Sequence, residues 1–401
     1  MPKIIKKSEN FLGSYVFKYE SFEASVEKDI IHNTYGPATI KFNINPDTDS
    51  KISFGYAPQK GLVKFNQLNG SIEENNVLGD LISIKENDSN ALSKYFAKYG
   101  FLFHVTRYSN IKFDLTQLFD IINHLKWVTE LMWQLCDNKN RNYQKIVKLI
   151  FKLVFDKEIK IMKSNNQVFY LREKNSLFKK LESYAGGNYI ESQLQIYDPD
   201  EEYHIEPNDF EMYDNIYGNV KVKFDEFETT VTKEGFRLLN TISALHYDNN
   251  ENKSGDKIFW DFLFHFFQLN DGALLLGLKH SNTKEIDETK LILKEEFKES
   301  IIRIGRHVLA EEITNHIKSI KPFYDPLRLE PAWHIPNLLT ALYLSLFYMK
   351  PNVELIRKCQ NPNCDNYFIV NTSSTRTKYC CTNCGNAVAQ ANYRSKHKYG
   401  K

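Results

Sequence analysis

The chain has 401 residues, of which 42% are hydrophobic and 25% are charged, and this is ordinary for a soluble globular protein large enough for two or three domains. The net charge of +2 is unevenly distributed, because the residues from Pro351 onward have eight Lys or Arg and two acids, or +6, which leaves −4 for the other 350 residues. The most apolar stretch, 258–269, contains Asp261 and His265 and is shorter than the roughly 20 apolar residues of a membrane span, which excludes a membrane protein.

Residues 1–108 are predicted to form a mixed α/β region with more strand than helix. Segments rich in β-branched and aromatic residues, separated by Asn, Asp, Pro and Gly, predict strands at 14–19, 38–45, 51–57 and 62–65. Asp88-Ser89-Asn90 is typical of a helix N-cap and Gly100 of a helix end, so these residues predict a helix over 91–99.

Residues 109–350 are predicted to form a mainly helical domain. Apolar residues recur every three or four positions from Asp114 to Cys136, which predicts a helix with one buried stripe. Further helices are predicted over 142–155, 285–320 and 337–349, and the last of these is apolar nearly all round. No glycine-rich linker precedes residues 351–401, so we expect this tail to dock on the body.

Two stretches of the middle domain have weaker patterns. Asn270-Asp271-Gly272 between apolar runs is a turn signal, and it predicts a hairpin near 258–278. The acidic, tyrosine-rich stretch 184–219 is compatible with one long loop or with several short strands, and the sequence leaves both alternatives open.

Five of the six cysteines lie in the tail, and four of them form two closely spaced pairs. Cys359 and Cys364 enclose Gln-Asn-Pro-Asn, and Cys380 and Cys384 follow after fifteen residues. Two short turns that each provide two thiolates suit a tetrahedral Zn²⁺ with Zn–S distances of about 2.3 Å, and four thiolates leave no open position for catalysis. Clustered cysteines in a long chain without an apolar leader predict a metal site in a reducing cytoplasm rather than disulfides.

The residues around the cysteine pairs predict a small module that depends on the metal, because fewer than about 50 residues with few large apolar groups cannot hold a fold alone. Residues 365–370 predict a strand and 377–379 its return strand, followed by a helix that begins near Cys384. This order of knuckle, hairpin and helix is the treble-clef arrangement. Cys381 is an alternative ligand to Cys380, because Cys381 and Cys384 have the commoner C-x-x-C spacing. The predicted fold class is thus α+β, with a strand-rich N-terminal region, a helical middle and a treble-clef-like zinc module over 351–401.

The last helix has two different sides when it is drawn at about 100° per residue. Small and apolar residues, among them Cys384 and Val388, face one side, and amide, aromatic and basic residues face the other. Asn and Gln can pair with adenine edges, and Lys and Arg can neutralise phosphates. The candidate nucleic-acid-binding residues are Arg376, Lys378, Asn386, Gln390, Tyr393, Arg394, Lys396, His397 and Lys398. The alternative is a solvated helix face with a basic end that suits the helix dipole.

These motifs resemble the CGNR-type zinc finger, which occurs at the C-terminus of many bacterial proteins regarded as transcription regulators. The resemblance covers about residues 355–400, and the four cysteines match the ligand positions of the family. Phe368 matches the aromatic residue of its hairpin, and Gly385-Asn386 match the "GN" of its motif. Tyr393-Arg394 match its basic helix. It implies bound zinc and DNA as a partner. Ala387 stands where the family motif has arginine, which removes one expected phosphate or base contact.

No phosphate loop, dinucleotide fingerprint or nucleophile elbow occurs in the sequence, so we expect no enzymatic activity. His307, Glu311, Glu312 and His316 form i, i+4 pairs on a predicted helix, and we interpret them as surface ion pairs. The expected function is a DNA-binding regulator whose body senses a ligand, forms a homodimer or docks a partner. The alternatives are a protein-interaction or assembly protein in which zinc only structures the tail, and an enzyme with an unrecognised site in the body.

Overall fold

The computed structural model describes residues 15–31, 39–58, 60–65, 72–105, 112–137, 141–163, 167–186, 241–242, 245–246, 255–270, 291–326, 329–349, 354–364, 366–371 and 377–398. The chain divides into two compact units. The first unit comprises 1–136, 159–172 and 312–401, and the second comprises 137–158 and 173–311. These units differ from the three consecutive segments of the sequence-based division, because the chain passes from one unit to the other four times.

The fold is α+β, as predicted, with a strand-rich N-terminal region, a helical middle and a C-terminal cluster of four cysteines. The strands are β1 (Phe17–Ile31), β2 (Thr39–Ala57), β3 (Gly61–Phe65), β4 (Ile72–Asn76), β5 (Lys112–Asp114), β6 (Ile159–Met162), β7 (Val168–Arg172), β8 (Lys321–Asp325), β9 (Glu330–His334), β10 (Glu354–Lys358) and β11 (Tyr367–Asn371). The helices are α1 (Val77–Ile82), α2 (Ser89–Tyr99), α3 (Leu115–Cys136), α4 (Tyr143–Val154), α5 (Ser176–Gly186), α6 (Gly255–Leu269), α7 (Phe297–Ile317), α8 (Leu338–Tyr348) and α9 (Thr382–Lys398).

The first unit is built on an antiparallel sheet in the order β1-β2-β3-β4, with β5 paired to β2. β1 and β2 pair from Phe17 opposite Tyr56 to Ile31 opposite Thr39, with a bulge after Phe22. The predicted strand at 14–19 was too short, because β1 continues to Ile31. Charged residues such as Glu23 and Glu27 occupy its exposed positions, and they conceal the strand from a composition-based prediction.

The predicted helices of the first unit are confirmed. Asp88 caps α2 by accepting the backbone N–H of Ala91 at 2.9 Å, and Gly100 ends it with a φ of 81°. A Cβ atom at Gly100 would lie 2.6 Å from the carbonyl oxygen of Phe22, so only glycine fits. α3 buries an apolar stripe at the predicted spacing, and every residue of α8 from Leu338 to Leu346 is buried. Among the described residues, no helix has the length and apolar character needed to cross a bilayer.

The second unit is helical in its described part, and it corrects two predictions. The hairpin predicted near 258–278 is wrong in its first arm, because residues 255–269 form the helix α6. Phe259, Phe262, Leu263 and Phe266 are buried and follow the i, i+3, i+4, i+7 spacing of a helix, and this periodicity outweighs the turn signal that follows. Residues 271–290 lie outside the described part, as does most of the stretch 184–219. The helix predicted over 285–320 begins only at Phe297.

A polar cluster is buried in the first unit and consists of His124, Arg172, Glu312 and His316, which we call the His124 cluster. Nε2 of His124 is 2.8 Å from Oε2 of Glu312, and Nη1 of Arg172 contacts Nδ1 of His124. A guanidinium can only donate, so Nδ1 accepts and the His124 ring donates its Nε2–H to Glu312. The ring of His316 donates from Nδ1 to the Glu312 carbonyl at 2.7 Å and stacks on Tyr343 at a centroid distance of 3.8 Å.

This cluster corrects the interpretation of the i, i+4 pairs as surface ion pairs. Glu312 and His316 face the interior of the first unit, where Glu312 reaches His124, 188 residues away in sequence. Glu311 instead accepts from the backbone N–H and the hydroxyl of Ser176, at 2.7 and 2.6 Å, and His307 is exposed. The four side chains therefore do not converge.

Stability is expected to fall on acidification because of this cluster. Burial, together with His124, lowers the pKa of His316 from 6.5 to about 4. Between these values the unfolded chain binds a proton that the folded chain excludes, so stability is lost as the pH falls from about 6.5 to 4, by about 3 kcal/mol. Burial acts to raise the pKa of Glu312, but the hydrogen bond and charge of its partners lower it overall, so Glu312 contributes in the same direction at still lower pH.

Denaturant titrations across this pH range compare a Cys359→Ser chain with a chain that has both Cys359→Ser and His316→Phe. The Cys359→Ser change is present in both, so that acid release of bound metal affects neither curve. Phenylalanine retains the stacking on Tyr343 and has no proton to bind, and we expect it to flatten the curve between pH 6.5 and 4. Equal slopes for the two chains would contradict this assignment.

Candidate metal centre

β10 and β11 form an antiparallel hairpin, and the segment between them carries the first cysteine pair. Pairing runs from Glu354 opposite Asn371 to Lys358 opposite Tyr367, so Cys359 directly follows the end of β10. The backbone N–H of Cys359 donates to the carbonyl of Asn366 at 2.9 Å and closes the turn. The strand predicted at 365–370 corresponds to β11.

The return strand predicted at 377–379 is wrong, because the partner of β11 is β10, which precedes the first cysteine. β10 has the sequence Glu-Leu-Ile-Arg-Lys, and its Leu355 and Ile356 lie opposite Val370 and Ile369 of β11. Residues 377–379 are not in a strand, although Lys378 accepts a hydrogen bond from the N–H of Gln360 at 3.0 Å. The predicted hairpin after the knuckle is therefore replaced by a hairpin whose tip is the knuckle.

Four sulfur atoms converge between this hairpin tip and the start of α9. Those of Cys359, Cys364, Cys380 and Cys384 all lie within 4.8 Å of one another, and the Cys364–Cys380 and Cys380–Cys384 Sγ distances are both 3.7 Å. Thiolates at about 2.3 Å from a tetrahedral Zn²⁺ lie about 3.8 Å apart, so the cluster fits this ion. A disulfide would require about 2.05 Å, and all four cysteines are free thiols.

Cys381 lies beside this set. Its sulfur is 3.9 Å from Cys380 Sγ, yet the residue is exposed, whereas Cys359 is buried and Cys364, Cys380 and Cys384 are half-buried. Successive residues cannot both direct their side chains at one centre, and the arrangement favours Cys380 over Cys381 as the ligand.

The thiols of the cluster influence one another's protonation. Burial and contacts with the neighbouring thiols raise the pKa of Cys380. Burial also acts to raise the pKa of Cys359, but the N–H groups of Cys380 and Asn361 lower it overall, and the Cys380 nitrogen is 3.5 Å from Cys359 Sγ. Four thiols this close need a cation before all of them can ionise, so a divalent metal suits the donor set.

The hairpin docks on α1 and α3 through Tyr367, which is only 7% exposed. Its backbone N–H donates to Oγ of Ser83 at 2.9 Å, and its hydroxyl donates to Oε1 of Glu130 at 2.6 Å. The ammonium group of Lys126 lies 5.6 Å from the centroid of the Tyr367 ring. The expected docking of the tail on the body is thus present within the first unit.

Gly79→Ala is expected to weaken this docking. A Cβ atom at position 79 would lie 2.7 Å from the carbonyl oxygen of Tyr367, a backbone atom that cannot move without shifting β11. Overpacking of this kind costs about 1–3 kcal/mol. Replacing glycine by alanine in a helix without such a contact stabilises the protein by roughly 0.5–1 kcal/mol. The sign of the change in unfolding free energy therefore shows whether the contact between Gly79 and Tyr367 is present. Increased stability, measured by denaturant titration, would contradict the docking.

α9 begins at Thr382, between the two cysteines of the second pair, and has Cys384 in its first turn, as predicted. Cys384, Gly385 and Val388 are half-buried, whereas every other residue from 382 to 394 is exposed. A Cβ atom at Gly385 would lie 3.3 Å from the ring of Tyr379, which explains the small residue at that position. Ala391 is exposed. Among the residues of α9 whose burial is described, the half-buried ones thus lie in its first two turns.

The structure places several of the candidate nucleic-acid-binding residues on one exposed side of α9. Asn386, Gln390 and Arg394 follow at i, i+4 and i+8 and are all exposed, and the neighbouring Tyr393 is 66% exposed. Lys378 is exposed before the helix begins. Arg376 lies outside the described residues, and only the backbone of Lys396, His397 and Lys398 is described.

Sequence reasoning missed the residues that receive the finger. Ser83 and Glu130 lie 284 and 237 residues before Tyr367 in the sequence. No local sequence pattern therefore points to their contacts with it.

Comparison with known proteins supports the assignment of the finger. Residues 356–397 match the CGNR zinc finger family. The match covers the hairpin, both cysteine pairs and α9, and together with the four-cysteine cluster it supports zinc binding. The match covers about a tenth of the chain and does not include residues 1–355. No curated protein and no solved structure matches the chain.

Proposed function

We propose that the protein is a cytoplasmic, DNA-binding regulator in which zinc shapes the finger and α9 contacts the nucleic acid. The observation that carries this proposal is the exposure of Asn386, Gln390 and Arg394 along one side of α9. A helix of 17 residues is about 25 Å long and fits the major groove of duplex DNA, which is about 12 Å wide.

The charge of the finger supports a polyanionic partner. From Asn366 to Lys401 the chain has no Asp or Glu and six basic residues, namely Arg376, Lys378, Arg394, Lys396, Lys398 and Lys401. Such a run attracts phosphates, and each phosphate neutralised releases counterions. The four thiolate ligands close the coordination sphere, so the metal has a structural role and no enzymatic role is proposed for the finger.

The docked hairpin supports a regulatory link to the body. Tyr367 holds the finger on α1 and α3 through side-chain and backbone hydrogen bonds, so a change in those helices would be transmitted to α9. We propose that the body binds a ligand, forms a homodimer or docks a partner, and thereby controls the finger.

Binding of the zinc-loaded chain to duplex DNA is expected to be strongly salt-dependent. The slope of log K against log salt should be about −0.9 per phosphate contacted, and Arg394→Ala with Lys398→Ala should reduce it by about 1.8. Filter binding across a salt series measures the slope. The matched control is Arg303→Ala with Arg306→Ala, which removes the same charge from exposed positions of α7 and should leave the slope unchanged. No binding to DNA at low salt would contradict the proposal.

The alternative is an assembly protein in which zinc only structures the tail. The docked hairpin is the observation in its favour, because it shows that the module has a packing role within the chain. This alternative predicts no affinity for DNA at any salt concentration, and it also predicts a protein partner that covers Asn386 and Gln390.

A further inference from the structure

We infer that α9 is divided along its length, with an amide half that reads adenine-containing base pairs in the major groove and a basic half that contacts phosphates. This inference rests on the proposed DNA binding and adds to it the sequence class that the protein prefers and the residues that determine the preference.

The amide half is formed by Asn383, Asn386 and Gln390, which follow at i, i+3 and i+7 and therefore lie on one side of the helix. All three residues are exposed. The rise from Asn383 to Gln390 is about 10 Å, which is the length of about three base-pair steps of 3.4 Å. The three amides can thus reach bases within a run of about four base pairs.

The chemistry of these side chains selects adenine. An amide offers one acceptor and two donors, and it pairs with N6 and N7 of adenine through two hydrogen bonds, whereas guanine is read by Arg or Lys. The amide half has no charged residue between Thr382 and Tyr393. Ala387 follows Asn386 and occupies the position at which the family motif has arginine. Its methyl group suits contact with the methyl group of thymine. One bidentate pair discriminates against the wrong base by about 5- to 150-fold.

The basic half begins at Arg394, one turn beyond Gln390, and continues with Lys396 and Lys398. It lies at the end of α9 away from the cysteines. Four thiolates around one dication leave a net negative charge at the start of the helix, so phosphate contacts are more favourable at the far end. The negative charge of the thiolate site therefore accounts for uncharged amides in the first half of α9 and basic residues in the second.

The groove requirement selects duplex DNA over duplex RNA. The major groove of B-form DNA admits a helix, whereas the major groove of A-form RNA is deep and narrow and side chains cannot read it. An exposed helix with amides in its first half therefore fits DNA.

The test selects duplexes from a random pool with the full zinc-loaded chain and then measures affinities for an adenine-containing winner and a G·C-only duplex of equal length. We expect the winner to bind at least about 5-fold more tightly. The triple variant Asn383→Ala, Asn386→Ala, Gln390→Ala should abolish this difference without changing the salt slope. Asn392→Ala, which removes the same chemical group from the other side of α9, should preserve it. Metal content and circular dichroism establish that each variant is folded.

The outcomes separate this inference from the proposed function. If the wild-type chain binds every duplex equally, or if the preference survives in the triple variant, the division of α9 is wrong while DNA binding stands. If a duplex RNA of the same sequence binds as tightly as the DNA, the groove assignment is wrong. If no duplex is bound at all, the proposed function fails and this inference fails with it.

Discussion

Replacing Cys359 or Cys380 by serine is expected to abolish stoichiometric zinc and to unfold residues 354–398. The sulfur atoms of these residues lie inside a cluster whose 3.7 Å edges match a tetrahedral thiolate site. A structural zinc contributes about 10–16 kcal/mol to a module of this size, far more than its few buried apolar side chains can supply. Elemental analysis of reduced protein measures the metal, and limited proteolysis measures the loss of order in the finger.

Cys381→Ser is the matched control for this experiment, because it makes the same chemical change one residue away from Cys380. It should retain the zinc and the protease resistance, since Cys381 is exposed beside the cluster. Loss of zinc in Cys381→Ser but not in Cys380→Ser would assign the ligand to Cys381 and reverse our interpretation. Retention of zinc in both Cys359→Ser and Cys380→Ser would exclude the site altogether.

The metal centre was predictable because its information is local. A metal that needs four thiolates imposes short spacings within each pair, and these spacings are visible in the sequence around Cys359 and Cys380. The same is true of α2, whose capping residue Asp88 and terminal Gly100 each act within a few residues. Helix caps and metal knuckles are set by chain geometry, so a sequence pattern is sufficient.

The remaining features depend on contacts between distant residues. β11 has two candidate partners, one before the knuckle and one after it, and the choice of β10 is not encoded in the spacing of the cysteines. α6 was taken for a hairpin because the signal of Asp271-Gly272 was given more weight than the periodicity of the phenylalanines before it. Glu312 was taken for a surface residue because its partner His124 is 188 residues away.

The distribution of anchoring contacts links the fold to the proposed function. Tyr367 is fixed by hydrogen bonds at both its backbone and its side chain, and among residues 382–394 of α9 the half-buried ones are Cys384, Gly385 and Val388. A hairpin that is docked on the body, with the first turns of α9 packed beside it, fixes the direction in which the helix leaves the finger. This arrangement supports recognition by the helix and explains why the body needs a precise docking surface for so small a module.

Glu312→Gln is expected to lower the free energy of unfolding by about 3–5 kcal/mol, because it removes the negative charge of a buried ionic cluster. Glutamine has nearly the same size and can still accept from the Nε2–H of His124, so the packing changes little. The charge of the cluster does change. The buried Arg172 contacts the imidazole of His124, which in turn contacts residue 312, so the variant removes the carboxylate that balances the positive charge of Arg172. Denaturant titration of the zinc-loaded chain measures the loss.

Glu311→Gln is the control, because it makes the same change at the preceding residue. Glu311 accepts from Ser176 near the surface, and its loss of charge should cost less than about 1 kcal/mol. A second variant identifies the cause: if the cost of Glu312→Gln arises from a stranded cation, adding Arg172→Met should recover part of the stability, because a buried pair replaced by apolar groups is often neutral. A further loss in the double variant would show instead that the hydrogen bonds of Arg172, and not its charge, hold this part of the first unit together.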